Sequence, residues 1–156
     1  MNIKDPFNNK KESINYLLKN GKVINIKEKK IEDKDLLLEN KKIKQIKKGI
    51  NISSKDVEVI DCNGLMIAPG LVDMRVNIGE PGSEHKETVK SVSMSAASGG
   101  ITSLICMPNT SPPIDQPAII QSIQRKAREV ALSKFYCTGC ITRGAIGNEI
   151  CELQLM

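Results

Sequence analysis

LMIAPGLVDMRVNIGEPGSEHKETVKSVSMSAASGGITSLICMPNTSPPID, residues 65–115, carries the alternation on which the fold reading turns. After Pro69-Gly70, the run Leu71 to Val76 reads as a strand and Glu80-Pro81-Gly82 as a loop. From His85 to Ser98 the period becomes helical, with Val89, Val92 and Ala96 on one stripe. Gly99-Gly100 ends that helix, because glycine enters a left-handed C-terminal cap without a Cβ penalty. Ile101 to Met107 is apolar enough for a strand buried in a parallel sheet.

Toward the C-terminus, Asp115 is expected to cap a helix whose first turn holds Pro117. Its core stripe is Ile119, Ile123, Ala127 and Val130. Lys134 to Thr138 reads as a third strand, and Glu149 to Met156 as the start of another helix. The order β-α-β-α-β suits either an open doubly wound sheet or the beginning of a barrel, with right-handed crossovers. No GxGxxG or P-loop follows the first strand, so nucleotide binding has no support.

Toward the N-terminus the texture differs. Tyr16-Leu17-Leu18 runs into Asn20-Gly21 and then Val23 to Ile26, the pattern of a tight hairpin. A second hairpin is expected where Leu36-Leu37-Leu38 turns at Glu39-Asn40-Lys41 into Ile43 to Ile46. Val57 to Asp61 alternates like a strand and stops at Asn63-Gly64. The expected organisation is a disordered tail over 1–15, a small antiparallel β-sandwich unit over 16–68, and βα units over 69–156.

The bulk numbers bound the function. At 156 residues and 40% hydrophobic content the chain can bury a core, but aromatics are 3% and Trp is absent. Aliphatic side chains and Met must therefore fill the interior. The net charge of +5 owes much to Lys41 to Lys48, KKIKQIKK. Nucleic-acid binding would want stacking aromatics there, so this run reads as the wet face of a hairpin. Neither a signal peptide nor a membrane-length apolar stretch is evident, which points to the cytoplasm and reduced cysteines. Cys137 and Cys140 form one CxxC without a second ligand pair, so they read as strand-end residues rather than a zinc site.

Residues 65–115 resemble the dihydroorotases of the zinc amidohydrolase superfamily, cyclic-amide hydrolases, in PGLVDM, EPG, HKET, AASGGIT and MPNT. The resemblance covers roughly residues 16–156. It implies an α/β chain, the N-terminal part of a (β/α)8 TIM-like barrel, preceded by a small antiparallel β-sandwich unit. In the family that unit is completed by the C-terminal end of the full-length chain. It also implies the family's chemistry, opening or closing a cyclic amide in pyrimidine biosynthesis with zinc activating water and a distant Asp moving the proton.

The family's first strand carries HxH, two metal ligands, and then an Arg that holds the substrate carboxylate. Here those positions are Arg75, Asn77 and Gly79. A guanidinium cation repels zinc, a neutral amide is a poor ligand, and glycine has no grip on a carboxylate. Asn109 in MPNT matches the Asn that contacts substrate in dihydroorotases. Without Arg and zinc beside it, a turn Asn held by Asx hydrogen bonding is the preferred reading. The single histidine, His85, matches a variable position and reads as a surface residue. Asp73, two residues before Arg75, is a weak substitute ligand. Since a catalytic zinc takes about three protein ligands, no catalytic residue and no cofactor are assigned to this chain.

A (β/α)8 barrel takes about 200 residues or more, and the residues after Pro69 suffice for three strands. The remaining ligands would lie on strands beyond residue 156. The favoured expectation is a non-catalytic dihydroorotase-like protein, a structural partner of aspartate transcarbamoylase. The alternatives are a fragment of an active cyclic-amide hydrolase and a decayed gene remnant. Whether the chain has enzyme activity is thus left open, as is a homo-oligomer; neither nucleic acid nor membrane is expected as a partner.

Overall fold

The computed structural model describes residues 15–155, which form two compact units divided between Pro69 and Gly70. The tail expected over 1–15 lies outside the described residues except for Asn15, which opens the first strand. No helix among them is long and apolar enough to cross a membrane.

The first unit is one mixed sheet. Its strands are β1 (Asn15–Asn25), β2 (Lys30–Glu39), β3 (Lys42–Lys47), β4 (Val57–Asp61) and β5 (Met66–Ile67). They run in the order β3-β2-β1-β4, with β5 pairing the distal half of β1. The hairpin pairs β1–β2 and β2–β3 are antiparallel, but β4 and β5 run parallel to β1. The expected antiparallel pairing is therefore corrected to mixed pairing within one sheet. Leu17, Leu37 and Ile50 form its buried core, with Ile52 and Val57 packed against them.

Asn20-Gly21 is not a hairpin turn. β1 runs straight through it, with a bulge between Leu18 and Gly21. The left-handed backbone that a tight turn needs is present at Asn20, at φ 60°, but it serves the bulge instead. The Asn20 N–H donates to Asp35 Oδ1 at 2.9 Å, and its side-chain amide donates to Asp61 Oδ1 at 3.0 Å. The chain reverses later, at Ile26 to Lys29. The second hairpin turns where expected, with Asn40 and Lys41 at φ 51° and 62°. Its Lys-rich strand β3 is a sheet edge, where exposed lysines disfavour pairing with another chain.

The second unit is a three-stranded parallel sheet, β6 (Leu71–Val76), β7 (Ile101–Cys106) and β8 (Lys134–Cys137), in the order β6-β7-β8. Helix α1 (Val89–Ser98) connects β6 to β7, and α2 (Pro117–Val130) connects β7 to β8. The helix starts at Val89 rather than His85 because Thr88 caps it. Ser91 N–H donates to Thr88 Oγ1, and Thr88 N–H donates to Ser91 Oγ. Gly100, at φ 77°, ends it. Val89, Ala96, Leu104, Cys106, Ile114, Ile120, Ile123 and Phe135 are among the residues of the core between helices and sheet. Ser93 is fully buried beside them, and its hydroxyl accepts from the Leu132 and Ser133 amides. It thus ties α1 to the entry of β8.

Two C-terminal expectations are corrected. Asp115 does not cap α2, since Gln116 holds the cap position and Asp115 Oδ2 accepts from the Gly144 N–H at 2.8 Å. Glu149 onward is not a helix. Ile150 bridges Thr142 across a tight loop, and Leu153–Leu155 makes a single 3-10 turn.

Asp35 is the buried polar anchor of the first unit. Only 4% of it is exposed, and its carboxylate accepts from the Asn20 amide and, at 2.8 Å, from the Ile50 amide. Burial pushes its carboxyl up. The Asn20, Ile50 and Gly49 amides and the Lys19 charge outweigh that and hold it below the ordinary value. A depressed carboxyl stabilises the fold above its unfolded-state pKa, and that share is lost as pH falls through the folded-state value. Asp35→Ala should cost about 1–3 kcal/mol in urea unfolding at neutral pH, because it strands buried donors. The difference between wild type and variant should shrink below about pH 4. A constant difference across that range would contradict the assignment.

Candidate functional site

The candidate site is the C-terminal end of the β6-β7 pair, where open α/β sheets present ligand-binding loops. Val76 pairs with Cys106 in register, and the Met107 N–H donates to the Val76 carbonyl at 2.9 Å. Val76 and Ile78 point into the apolar core. By strand alternation Arg75 and Asn77 face the other way, and both are exposed. Between the Asp73–Leu104 and Val76–Cys106 pairs the register shifts, so β6 carries an extra residue there. That bulge breaks the regular alternation that would align Asp73 with Arg75. Asp73 instead accepts from the Arg75 backbone N–H at 3.0 Å.

The loops beyond the two strands are stitched together. The Ser111 N–H donates to the Pro81 carbonyl at 3.0 Å, and the Ile114 N–H to the Pro108 carbonyl at 3.0 Å. Gly82, at φ 97°, lies against Ser111 so closely that a Cβ would overlap it. EPG therefore packs against Ser111, the residue directly after MPNT. Asn109 lies exposed in the second loop. Its side chain makes no hydrogen bond among the described residues, so the Asx bond expected for it is not formed. His85 is exposed in the first loop, as the sequence suggested.

Glu80 has a role that was not legible in the sequence. Its Oε2 accepts from the Val89 N–H at 3.0 Å, at the first turn of α1, and its Oε1 lies 3.6 Å from Lys126 Nζ on α2. Nine residues separate Glu80 from Val89, so no local capping pattern marks the pair. Its carboxylate favours the positive end of the helix. Glu80 thus positions a helix.

The cysteines are not poised for chemistry. Burial and the neighbouring Cys137 push the Cys106 thiol up to about 12. Burial likewise raises Cys137, Cys140 and Cys151. Thiols kept protonated are poor nucleophiles. Among the described residues, no three His, Cys, Asp or Glu side chains are grouped to hold a metal ion.

Gly79 is closed by backbone. A Cβ built there would lie 2.5 Å from the Ser83 carbonyl oxygen, 2.9 Å from the Glu87 nitrogen, and closer still to the Glu87 carbonyl oxygen. The Ser83 N–H donates back to the Gly79 carbonyl at 2.6 Å. No side chain fits without moving the 83–87 turn. Gly79→Ala should therefore destabilise the protein by about 1–3 kcal/mol in chemical unfolding, as overpacking does. An unchanged midpoint would show that the turn yields freely.

The chain is similar to known proteins along most of its described length. The Dihydro-orotase-like family model matches residues 64–156, more than half of the chain. The dihydroorotase of Caldicellulosiruptor saccharolyticus is 41% identical over 140 residues, covering 90% of this chain and 33% of that protein. The dihydroorotase of Aquifex aeolicus is 40% identical over 139 residues, covering 89% and 32% respectively. Among solved structures, the L-hydantoinase (dihydropyrimidinase) of Arthrobacter aurescens superposes with a TM-score of 0.73 at 26% identity, covering 81% of this chain and 28% of that one. The D-hydantoinase (dihydropyrimidinase) of Thermus sp. gives 0.66 at 26% identity, with the same coverage of 81% and 28%. The chain spans about a third of the length of the curated relatives it matches. It belongs to the dihydroorotase-like family.

Proposed function

We propose that this chain is the first part of an amidohydrolase (β/α)8 barrel whose strand end has lost zinc chemistry. On this reading it is a non-catalytic dihydroorotase-like protein of pyrimidine biosynthesis, acting as a structural partner of aspartate transcarbamoylase. The observation that carries the reading is the donor set at the end of β6. Arg75 and Asn77 occupy the positions of the family's two histidine ligands, and both are exposed there. These residues do not fit a zinc ion. A guanidinium has no lone pair to offer and repels a dication, while a carboxamide is a weak neutral donor. The third family position, Gly79, has a turn folded over it where an arginine would extend.

The parallel β6-β7-β8 sheet with intervening helices supports the barrel assignment, because such βα units are what a (β/α)8 barrel repeats. The dihydroorotase names of the curated relatives support the metabolic setting.

Metal analysis and a dihydroorotate ring-opening assay test this reading together. The purified chain should hold no stoichiometric zinc and show no turnover above background. The combined substitutions Arg75→His, Asn77→His and Gly79→Arg should not create activity, and the last should also disturb the loop. The protein should co-elute with aspartate transcarbamoylase in gel filtration. Stoichiometric zinc with measurable turnover in the wild-type chain would overturn the non-catalytic reading, and separate elution would remove the partner.

A further inference from the structure

We propose that Asn63-Gly64 is a self-modification site, at which the Asn63 carboxamide is converted to a carboxylate through a cyclic imide and the pairing of β5 is loosened. The site lies in the first unit and stands independently of the reading above. Three observations carry it.

The first is the turn. Asn63 and Gly64 hold the two central positions of the turn between β4 and β5, which the Leu65 N–H closes by donating to the Cys62 carbonyl at 2.9 Å. Both residues are exposed. Gly64, at φ 76°, has open space where a Cβ would stand, so no side chain crowds its backbone nitrogen. The second is that the reacting groups are free. Neither the Asn63 side chain nor the Gly64 N–H makes a hydrogen bond among the described residues, and only the Asn63 backbone N–H is held, donating to Asp61 Oδ1 at 3.1 Å.

The third is the contrast with Asn20-Gly21, the same dipeptide in the same unit. Asn20 is also exposed, so exposure does not separate the two. The Asn20 side-chain amide, however, donates to Asp61 Oδ1 at 3.0 Å, and its backbone N–H donates to Asp35 Oδ1. Gly21 is buried, with Ile67 and Cys62 against it, in a strand that lies between β2 and β4. Cyclisation at residue 20 requires opening that strand, whereas at residue 63 it requires only movement of an exposed turn.

The chemistry needs no reagent but water. The Gly64 nitrogen attacks Asn63 Cγ as the N–H proton is lost. A bond forms between that nitrogen and Cγ, the Cγ–Nδ2 bond breaks, and ammonia leaves with the proton. Water then opens the five-membered imide. Attack at Cγ yields an ordinary aspartyl residue. Attack at the former backbone carbonyl carbon yields an isoaspartyl residue, whose main chain runs through Cβ and Cγ. That linkage adds a methylene to the backbone inside a closed turn. The turn leads into β5, which pairs with β1 only at Lys22–Met66 and Val23–Ile67, supported by the Lys22 N–H donating to the Leu65 carbonyl at 2.9 Å.

Incubation of the purified chain in mildly alkaline buffer made with heavy-oxygen water, followed by peptide mapping in a mass spectrometer, tests the proposal. The peptide carrying Asn63 should lose ammonia, take up a water oxygen, and divide between aspartyl and isoaspartyl forms. Asn20 should convert at least about tenfold more slowly in the folded chain, and at a similar rate to Asn63 in urea. The Lys22 amide should exchange with deuterium faster in the isoaspartyl form. Asn63→Gln, whose cyclisation needs a six-membered ring, should stay unmodified and keep that amide protected. An Asn63 that stays intact in the folded chain while the unfolded chain converts would overturn the site, as would equal rates at Asn20 and Asn63 in the folded chain. Unchanged exchange at Lys22 in the isoaspartyl form would overturn the effect on β5.

Discussion

Val76 and Cys106 stand side by side on adjacent parallel strands, with both side chains in the apolar core. That pairing sets the direction of everything beside it. With Val76 and Ile78 turned inward, Arg75 and Asn77 must turn outward. With Met107 bonded to the Val76 carbonyl, the loop after β7 must begin at the level where β6 ends. The core on one face thus positions the polar groups on the other, and the packing motif can persist while the exposed positions change chemistry.

The loop after β6 is closed by contacts of its own. Gly79 has a turn folded over its Cα, Glu80 reaches to the start of α1, and Gly82 packs against Ser111. The turn over Gly79 fills the space that a side chain at residue 79 would claim. An arginine there would require moving backbone as well as replacing one residue.

Much of the second unit was legible in the sequence, because its signals are local. The strand Leu71–Val76, the stripe Val89, Val92 and Ala96, and the glycine stop after Ser98 depend on periodicity and caps within a few residues. The failures share a cause. Asn20-Gly21 carries the signal of a tight turn, but Asp35, fifteen residues away, captures the Asn20 amide and turns the signal into a bulge. Asp115 looks like a helix cap, but Gly144, twenty-nine residues away, takes its carboxylate. Long-range hydrogen bonds override local preference at both places. At the candidate site, the identities of Arg75, Asn77 and Asn109 could be read from the motif. The closure over Gly79 and the diversion of Glu80 could not, since both depend on how two loops pack.

The end of β6 presents a guanidinium and a carboxamide at the positions of the family's two histidine ligands. Diffraction data collected at the zinc absorption edge, from crystals soaked in a zinc salt, test it most directly. No anomalous peak is expected within ligand distance, about 2.0–2.3 Å, of the Arg75 or Asn77 side chains. A well-occupied peak at that distance would contradict it.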